Sequence, residues 1–424
     1  MDNPGLFKTY DNGLRAYVEQ IPDASASFIK LAVQAGATHD PANMSGRAHM
    51  FEHVVLQGTT QKSFKDIEAL KRRSGVFIGA TTAQTDTSFT CSINNTDFSN
   101  FAQAMDLLRE IVTEGNLPED RIEHERGVIV QELAERRDNP ATRFYELCLT
   151  GMFAGSAHER SIGGDEDIVR RLSRTDLMDY KDRFYVPSNM ILCCAAPHDP
   201  EKILRHVDRG FGALPALGLP AEDVDIRFNP GDFSHVLPGF LRQNFMSLHF
   251  PVQTGWAEPD FNCLDLTLDL LIEACGNFRD RTNLTYGIEG DSYLWRRQSF
   301  PGMVTRSLPE TSGDLMDGIC TLLKDFPATI SQDRLDFVRN NAIANAGQQK
   351  NSPEAVCNRQ KLAICYLGSP LPLSSYFNSL STVTLQDVKQ MAARIVNERP
   401  ALTAMGPDLS RISYNHVLEK LGVR

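Results

Sequence analysis

His49-Met50-Phe51-Glu52-His53 sets two imidazoles and one carboxylate three and four residues apart. On a helix those positions share one face. Two imidazoles at this spacing can hold one zinc ion and leave the carboxylate beside the open coordination position. The chemistry that follows is hydrolysis: the metal lowers the pKa of a water, and Glu52 takes a proton from it as it attacks. A lone histidine on an apolar face is usually a packing residue. Two imidazoles and a carboxylate crowded onto one face are costly to bury unless something binds them.

A catalytic zinc takes three protein ligands and keeps a fourth position free. Glu125 and Glu132 lie in a helical pattern further along the chain. Their seven-residue separation is two helical turns, which puts both on one side. One can ligate while the other orients a histidine from behind. Spacing alone leaves open which does which.

The elements that must position these groups alternate between strand and helix patterns, as expected of an α+β layered fold. Residues 28–36 read as a strand closed by glycine. Residues 46–58 read as a helix bracketed by glycines, with Gly58 placed as its C-cap. Residues 67–73 read as helix and 87–93 as strand; 97–114 and 118–137 are longer helices, the second stopping before Asp138-Asn139-Pro140. Ser173 with Asp176 forms an N-cap pattern, and 185–196 returns to strand.

Pro215, Pro220 and Pro230 interrupt the pattern near mid-chain. The reading is a domain at 1–218, a linker at 219–235 and a second domain at 236–424. The second domain restates the first: residues 245–255 resemble 28–36, Glu258-Pro259 echoes Asp40-Pro41, and 314–347 echo 97–137. Two related α/β units follow. By that repeat, Thr267, Leu270 and Leu271 stand where His49, Glu52 and His53 stand in the first unit, and none of them binds zinc.

With 42% hydrophobic and 23% charged residues over 424 positions, the composition is that of a folded globular chain. A net charge of -11 without a basic stripe argues against nucleic acid as a partner. Neither a signal-peptide pattern nor an apolar run of membrane-spanning length is visible, so no membrane partner is expected. The nine cysteines lack paired metal spacing and read as buried thiols of a reducing, cytoplasmic compartment.

Several stretches resemble the pitrilysin family, the inverzincins that include insulin-degrading enzyme and the mitochondrial processing peptidases. They are Asn12-Gly13-Leu14-Arg15, AGATHD ending at Asp40, GRAHMFEHVVLQGT around the pentad and ERGVIVQELAERRDNP from Glu125. HERSIGG from His158 and YVPSNMIL from Tyr185 fit as well. The resemblance implies that Glu132 is the third ligand of one zinc per chain, with Glu125 supporting from behind. It implies two related halves forming one side of a clamshell, and an endopeptidase with Glu52 as base. It further implies that Arg279 and Tyr286, in RDRTNLTY, hold substrate and stabilise the tetrahedral intermediate.

Peptide is expected along an edge strand near residues 79–85. There the family's substrate-binding Asn-Ala becomes Gly79-Ala80, which keeps a backbone donor and loses an amide. Arg47 also departs from the family, which has an apolar residue there. Because one chain carries both the pentad and the Arg279–Tyr286 pair, a homodimer with shared sites is expected. A heterodimer with a related subunit, or a scaffold role without catalysis, is the alternative.

Overall fold

A computed structural model describes residues 5–94, 97–218, 224–237, 239 and 241–423. The part of the expected linker at 219–223 lies outside the described residues. The first half runs through β1 (Leu6–Thr9), β2 (Arg15–Gln20), β3 (Ser27–Val33), α1 (Arg47–Val55), α2 (Phe64–Ser74), β4 (Val76–Thr82) and β5 (Thr87–Ile93). Then come α3 (Phe98–Glu114), α4 (Glu119–Asp138), α5 (Pro140–Met152), α6 (Glu166–Val169), α7 (Arg174–Phe184), β6 (Met190–Ala196) and α8 (Pro200–Arg209). The second half comprises β7 (Gly231–Asp232), β8 (His235–Val236), β9 (Asn244–His249), α9 (Phe261–Thr282), β10 (Ile288–Gly290), β11 (Tyr293–Leu294), β12 (Ser299–Phe300) and β13 (Gly302–Ser307). It closes with α10 (Ser312–Thr329), α11 (Gln332–Gln349), α12 (Pro353–Leu367), α13 (Leu373–Thr382), α14 (Leu385–Val396), β14 (Ala401–Gly406) and α15 (Tyr414–Leu421).

The fold is α+β, with two related units. In the first, the sheet order is β1-β2-β6-β3-β5-β4; β2 and β6 are parallel and all other neighbours antiparallel. In the second, the order is β10-β13-β9-β14-β7, with β8 also on β14. Matching β4-β5-β3-β6-β2 to β10-β13-β9-β14-β7 reproduces the order and every strand sense, including the single parallel step. The repeat in the sequence is therefore a repeat of topology. On α9, Thr267, Leu270 and Leu271 are buried. The positions that the sequence repeat sets against the pentad thus hold one buried hydroxyl residue and two buried leucines.

Both units are discontinuous in sequence, where the sequence reading divided the chain contiguously. The first takes in residues 1–137, 160–226 and 347–373, and the second 138–159, 227–346 and 374–424. Helix α12, from late in the chain, belongs to the first unit. Its Val356, Cys357 and Ile364 cover Tyr17, Phe28, Ala32, Ile191 and Cys193 on one face of the sheet. Lys361 of α12 forms a 2.8 Å ion pair with Asp86 in the turn region between β4 and β5. The opposite face carries the main core, with Leu31, Phe89 and Leu192 packed under Met50, Phe51, Val54 and Leu108. With both faces covered, β6 is buried at every position, which explains its unbroken apolar run through Cys193-Cys194.

Two local expectations are corrected. Helix α1 ends at Val55 with Leu56 as its C-cap in right-handed geometry, and Gly58 instead bridges to Ser63. The strand expected from Tyr185 begins at Met190, because Pro187–Asn189 form a short 3-10 turn. Ser173 and Asp176 do form a reciprocal capping box at the start of α7.

Candidate metal centre

Helix α1 is started by a fixed device. Gly46 takes φ 91°, a left-handed conformation, and an added Cβ would stand 2.8 Å from the Gly163 carbonyl oxygen. The Asp40 carboxylate accepts the N–H groups of Gly46 and Ala48, each at 3.1 Å, satisfying donors that a helix start leaves open. Burial pushes the Asp40 carboxyl up to about 7, although these N–H groups and Arg47 pull it down. Arg47, the departure from the family pattern, is buried. It lies 3.6 Å from Asp40 and stacks over the Tyr180 ring at 5.0 Å. Its charge thus has a partner, and its plane an aromatic face.

With Ala48, Met50, Phe51, Val54 and Val55 turned into the core, α1 presents His49, Glu52 and His53 on its remaining face. The two imidazole centroids are 4.7 Å apart. Glu132 of α4 reaches both: its Oε2 lies 3.9 Å from His49 Nε2 and 3.7 Å from His53 Nε2. One potential ligand atom from each of the three lies within 4.8 Å of the others. The ligand–ligand edges of a tetrahedral zinc site are about 3.3 Å, so modest side-chain adjustment would close the set. Among the described residues this is the sole such cluster. Two imidazole nitrogens and one carboxylate oxygen are a donor set that suits zinc.

Glu125 stands behind His53, its Oε2 3.2 Å from Nδ1. That contact commits Nδ1 and leaves Nε2 turned toward Glu132. His124 and Arg121 also face Glu125, at 3.1 and 3.5 Å. Of the two carboxylates the sequence left open, the structure puts Glu132 against both imidazoles and Glu125 behind one of them.

The electrostatics differ within the set. Burial first, then His53 and Arg136, push His49 down to about 3, so it is a neutral imidazole. Burial opposes charge on His53 as well, but Glu125, Glu132 and Glu52 together hold it above the usual range. Burial raises the Glu52 carboxyl, while a hydrogen bond from Thr82 pulls it back. Thr82 Oγ1 donates to Glu52 Oε2 at 2.8 Å. Sequence reasoning missed Thr82. Its signal was strand alternation: Val76, Ile78 and Thr82 fall on the buried side of β4.

Gly79 and Ala80 lie mid-way along β4, the outermost strand of its sheet among the described residues, opposite Thr90 and Phe89 of β5. Arg279 and Tyr286 belong to the second unit. Arg279 sits in the last turn of α9 and bonds its neighbour Asp280 at 2.8 Å. Tyr286 follows that helix and is 92% exposed.

Two family models match successive stretches of the chain. The family described as Insulinase (Peptidase family M16) matches residues 15–166, and the Peptidase M16 inactive domain matches residues 171–342. The chain belongs to the M16, or pitrilysin, peptidase family. The Insulinase (Peptidase family M16) match contains the pentad and Glu132, and the inactive-domain match contains α9 with Thr267, Leu270 and Leu271. Among M16 relatives, the chain is 23% identical to the mitochondrial-processing peptidase subunit beta of Pongo abelii, covering 94% of this chain and 83% of that one. It is 27% identical to an uncharacterized zinc protease of Mycobacterium leprae, covering 95% and 92%. The crystal structure of a peptidase M16 inactive domain from Pseudomonas fluorescens superposes with a TM-score of 0.85 at 14% identity, covering 95% of this chain and 98% of that one. That likeness concerns the fold alone. No helix among the described residues is long and apolar enough to cross a membrane.

Proposed function

We propose that this chain is a zinc-dependent endopeptidase that hydrolyses peptides or short unfolded polypeptides. The observation that carries the proposal is the convergence of His49, His53 and Glu132 within 4.8 Å, with buried Glu52 on the same helix face. His49, His53 and Glu132 would hold one zinc ion per chain, which supplies Lewis-acid polarisation of a carbonyl and an acidified water. Glu52 takes a proton from the attacking water and passes it to the leaving amine. Thr82 holds Oε2 of that carboxylate, and Glu125 holds the His53 ring. Peptide lies extended along the free edge of β4, bonded through the backbone at Gly79 and Ala80. Arg279 and Tyr286 would grip substrate and steady the oxyanion in a chamber closed by a second chain. The exposure of Tyr286 supports a role completed on assembly.

A homodimer with shared sites fits a chain that carries both residue sets. A heterodimer is favoured by one relative's name, which is that of a subunit. Free cysteines, eight of the nine buried, support a reducing, cytoplasmic setting. The loss of a side-chain amide at Gly79 favours a second reading, a non-catalytic or partner-dependent subunit.

Cleavage of a quenched fluorescent peptide library, with metal content measured alongside, tests the proposal. About one metal per chain is expected, with turnover in the wild type and none in metal-loaded Glu52→Gln. Absence of both metal and cleavage would leave the scaffold reading.

A further inference from the structure

A free sheet edge exposes a row of unpaired N–H and C=O groups, and natural edges are blunted by charge, proline or a covering segment. The outermost strand β4 reads Val-Phe-Ile-Gly-Ala-Thr-Thr and contains neither charge nor proline. It carries a large aromatic in the open instead: Phe77 is 64% exposed. Strand alternation places Phe77, Gly79 and Thr81 on the face opposite Thr82, the residue that holds Glu52.

Gly79 is not required by its backbone. Its φ is not in the left-handed region, so any residue could adopt it. What an added Cβ would meet is the Phe77 ring, at 3.1 Å from Cε1 and 3.5 Å from Cζ. The ring therefore lies across the glycine, in the space that a side chain at 79 would claim. An aromatic plane laid over a bare stretch of backbone on a free edge is a flat apolar platform. Gly79 lies three residues, about 10 Å at a strand's rise, from Thr82, whose side chain on the opposite face holds Glu52.

We propose that Phe77, seated over Gly79, is a specificity-determining residue: it selects extended peptides bearing an aromatic or large aliphatic side chain at the one position that faces the ring. The proposal rests on the placement of peptide along β4 given above. A strand added at that edge turns alternate side chains to the Phe77 face, and cross-strand aromatic and apolar pairs favour such neighbours. Selection by an amide at this point is replaced by selection through apolar contact.

The test is binding, read separately from turnover. Fluorescein-labelled peptides in which a single Phe is walked through a Ser/Thr/Ala background are titrated into metal-loaded Glu52→Gln protein, with Phe77 intact or changed to Ser. A preference of about five- to tenfold in Kd is expected at one position, the size of an apolar side chain gaining a partner. It should vanish in Phe77→Ser and persist in part in Phe77→Leu. Because Phe77 is exposed, an unchanged melting temperature is expected to accompany the loss.

A flat profile in the intact protein, or an equal preference in Phe77→Ser, overturns the inference and leaves the peptidase reading untouched. A change in self-association alone, followed by sedimentation, also overturns it and assigns the edge to a second copy. A preference dependent on Phe77 in a chain whose wild type never cleaves supports the inference and overturns the catalytic reading.

Discussion

Thr82 at the end of β4 donates a 2.8 Å hydrogen bond to Oε2 of Glu52, three residues into the zinc-type pentad. Both residues are buried. One oxygen of the carboxylate is thereby fixed and the other is left to exchange a proton. Removing a hydrogen bond to a charged group costs about 1.5–3 kcal/mol, so Thr82→Val should lower kcat about tenfold or more. KM and metal content should stay near the wild-type values, and Thr82→Ser should restore most of the rate. A Thr82→Val enzyme with unaltered kcat would remove Thr82 from the positioning of the base.

The contact between His53 and Glu125 makes a separate prediction about metal affinity. Groups that orient a ligating histidine from behind typically contribute 10- to 100-fold in affinity, so Glu125→Gln should weaken zinc binding by about that factor. Glu132→Gln removes a ligand from the cluster and should lower affinity further than Glu125→Gln does. Competition against a chromophoric chelator reads both. Equal affinity in wild type and Glu132→Gln would exclude Glu132 as a ligand.

In metal-free protein, His49 makes stability depend on pH in a defined direction. Its ordinary pKa is 6.5, and burial lowers it to about 3. Between those values the unfolded chain binds the extra proton, so His49 costs stability as pH falls below 6.5. From pH 7.5 to 5, the metal-free wild type should lose about 2 kcal/mol more than His49→Gln, at 1.36 kcal/mol per pKa unit. Urea unfolding at the two pH values measures this. His53 is held above its usual value and contributes in the opposite sense, but it is common to both proteins. Parallel losses would show that His49 is hydrated.

Lys361 and Asp86 tie α12 to the turn beyond Thr82 with a 2.8 Å ion pair, both side chains largely buried. Removing one partner of a buried pair strands the other charge, at about 3–5 kcal/mol. Lys361→Met should therefore destabilise by about 3 kcal/mol, and Asp86→Asn combined with it by less than the sum of the singles. A loss below about 1 kcal/mol in Lys361→Met would put the pair in the class of solvent-screened surface bridges.

Much of this molecule was legible in its one-dimensional pattern. The helix carrying His49, Glu52 and His53, the strand at 87–93, the cap at Ser173 and the restated second half all rest on local periodicity and on side-chain to backbone bonds within a few residues. So did the narrowing of the third ligand to Glu125 or Glu132, since two helical turns restore the same face. Gly58 and Pro187 mark breaks in the pattern without stating their geometry, so only the structure shows α1 ending before Gly58 and β6 starting after residue 189.

The tertiary structure decided what sequence separation hides. Only packing brings Glu132 within 3.9 Å of His49 and Glu125 behind His53, because a carboxylate's role depends on which imidazole edge it meets. Only the sheet carries Thr82 to Glu52 and lays Phe77 over Gly79 at an open edge. The placement of α12 in the first unit and α5 in the second was likewise invisible, since both helices look locally ordinary. Local pattern records which face of an element is apolar. Which other face it meets is settled only when whole layers compete to bury that surface.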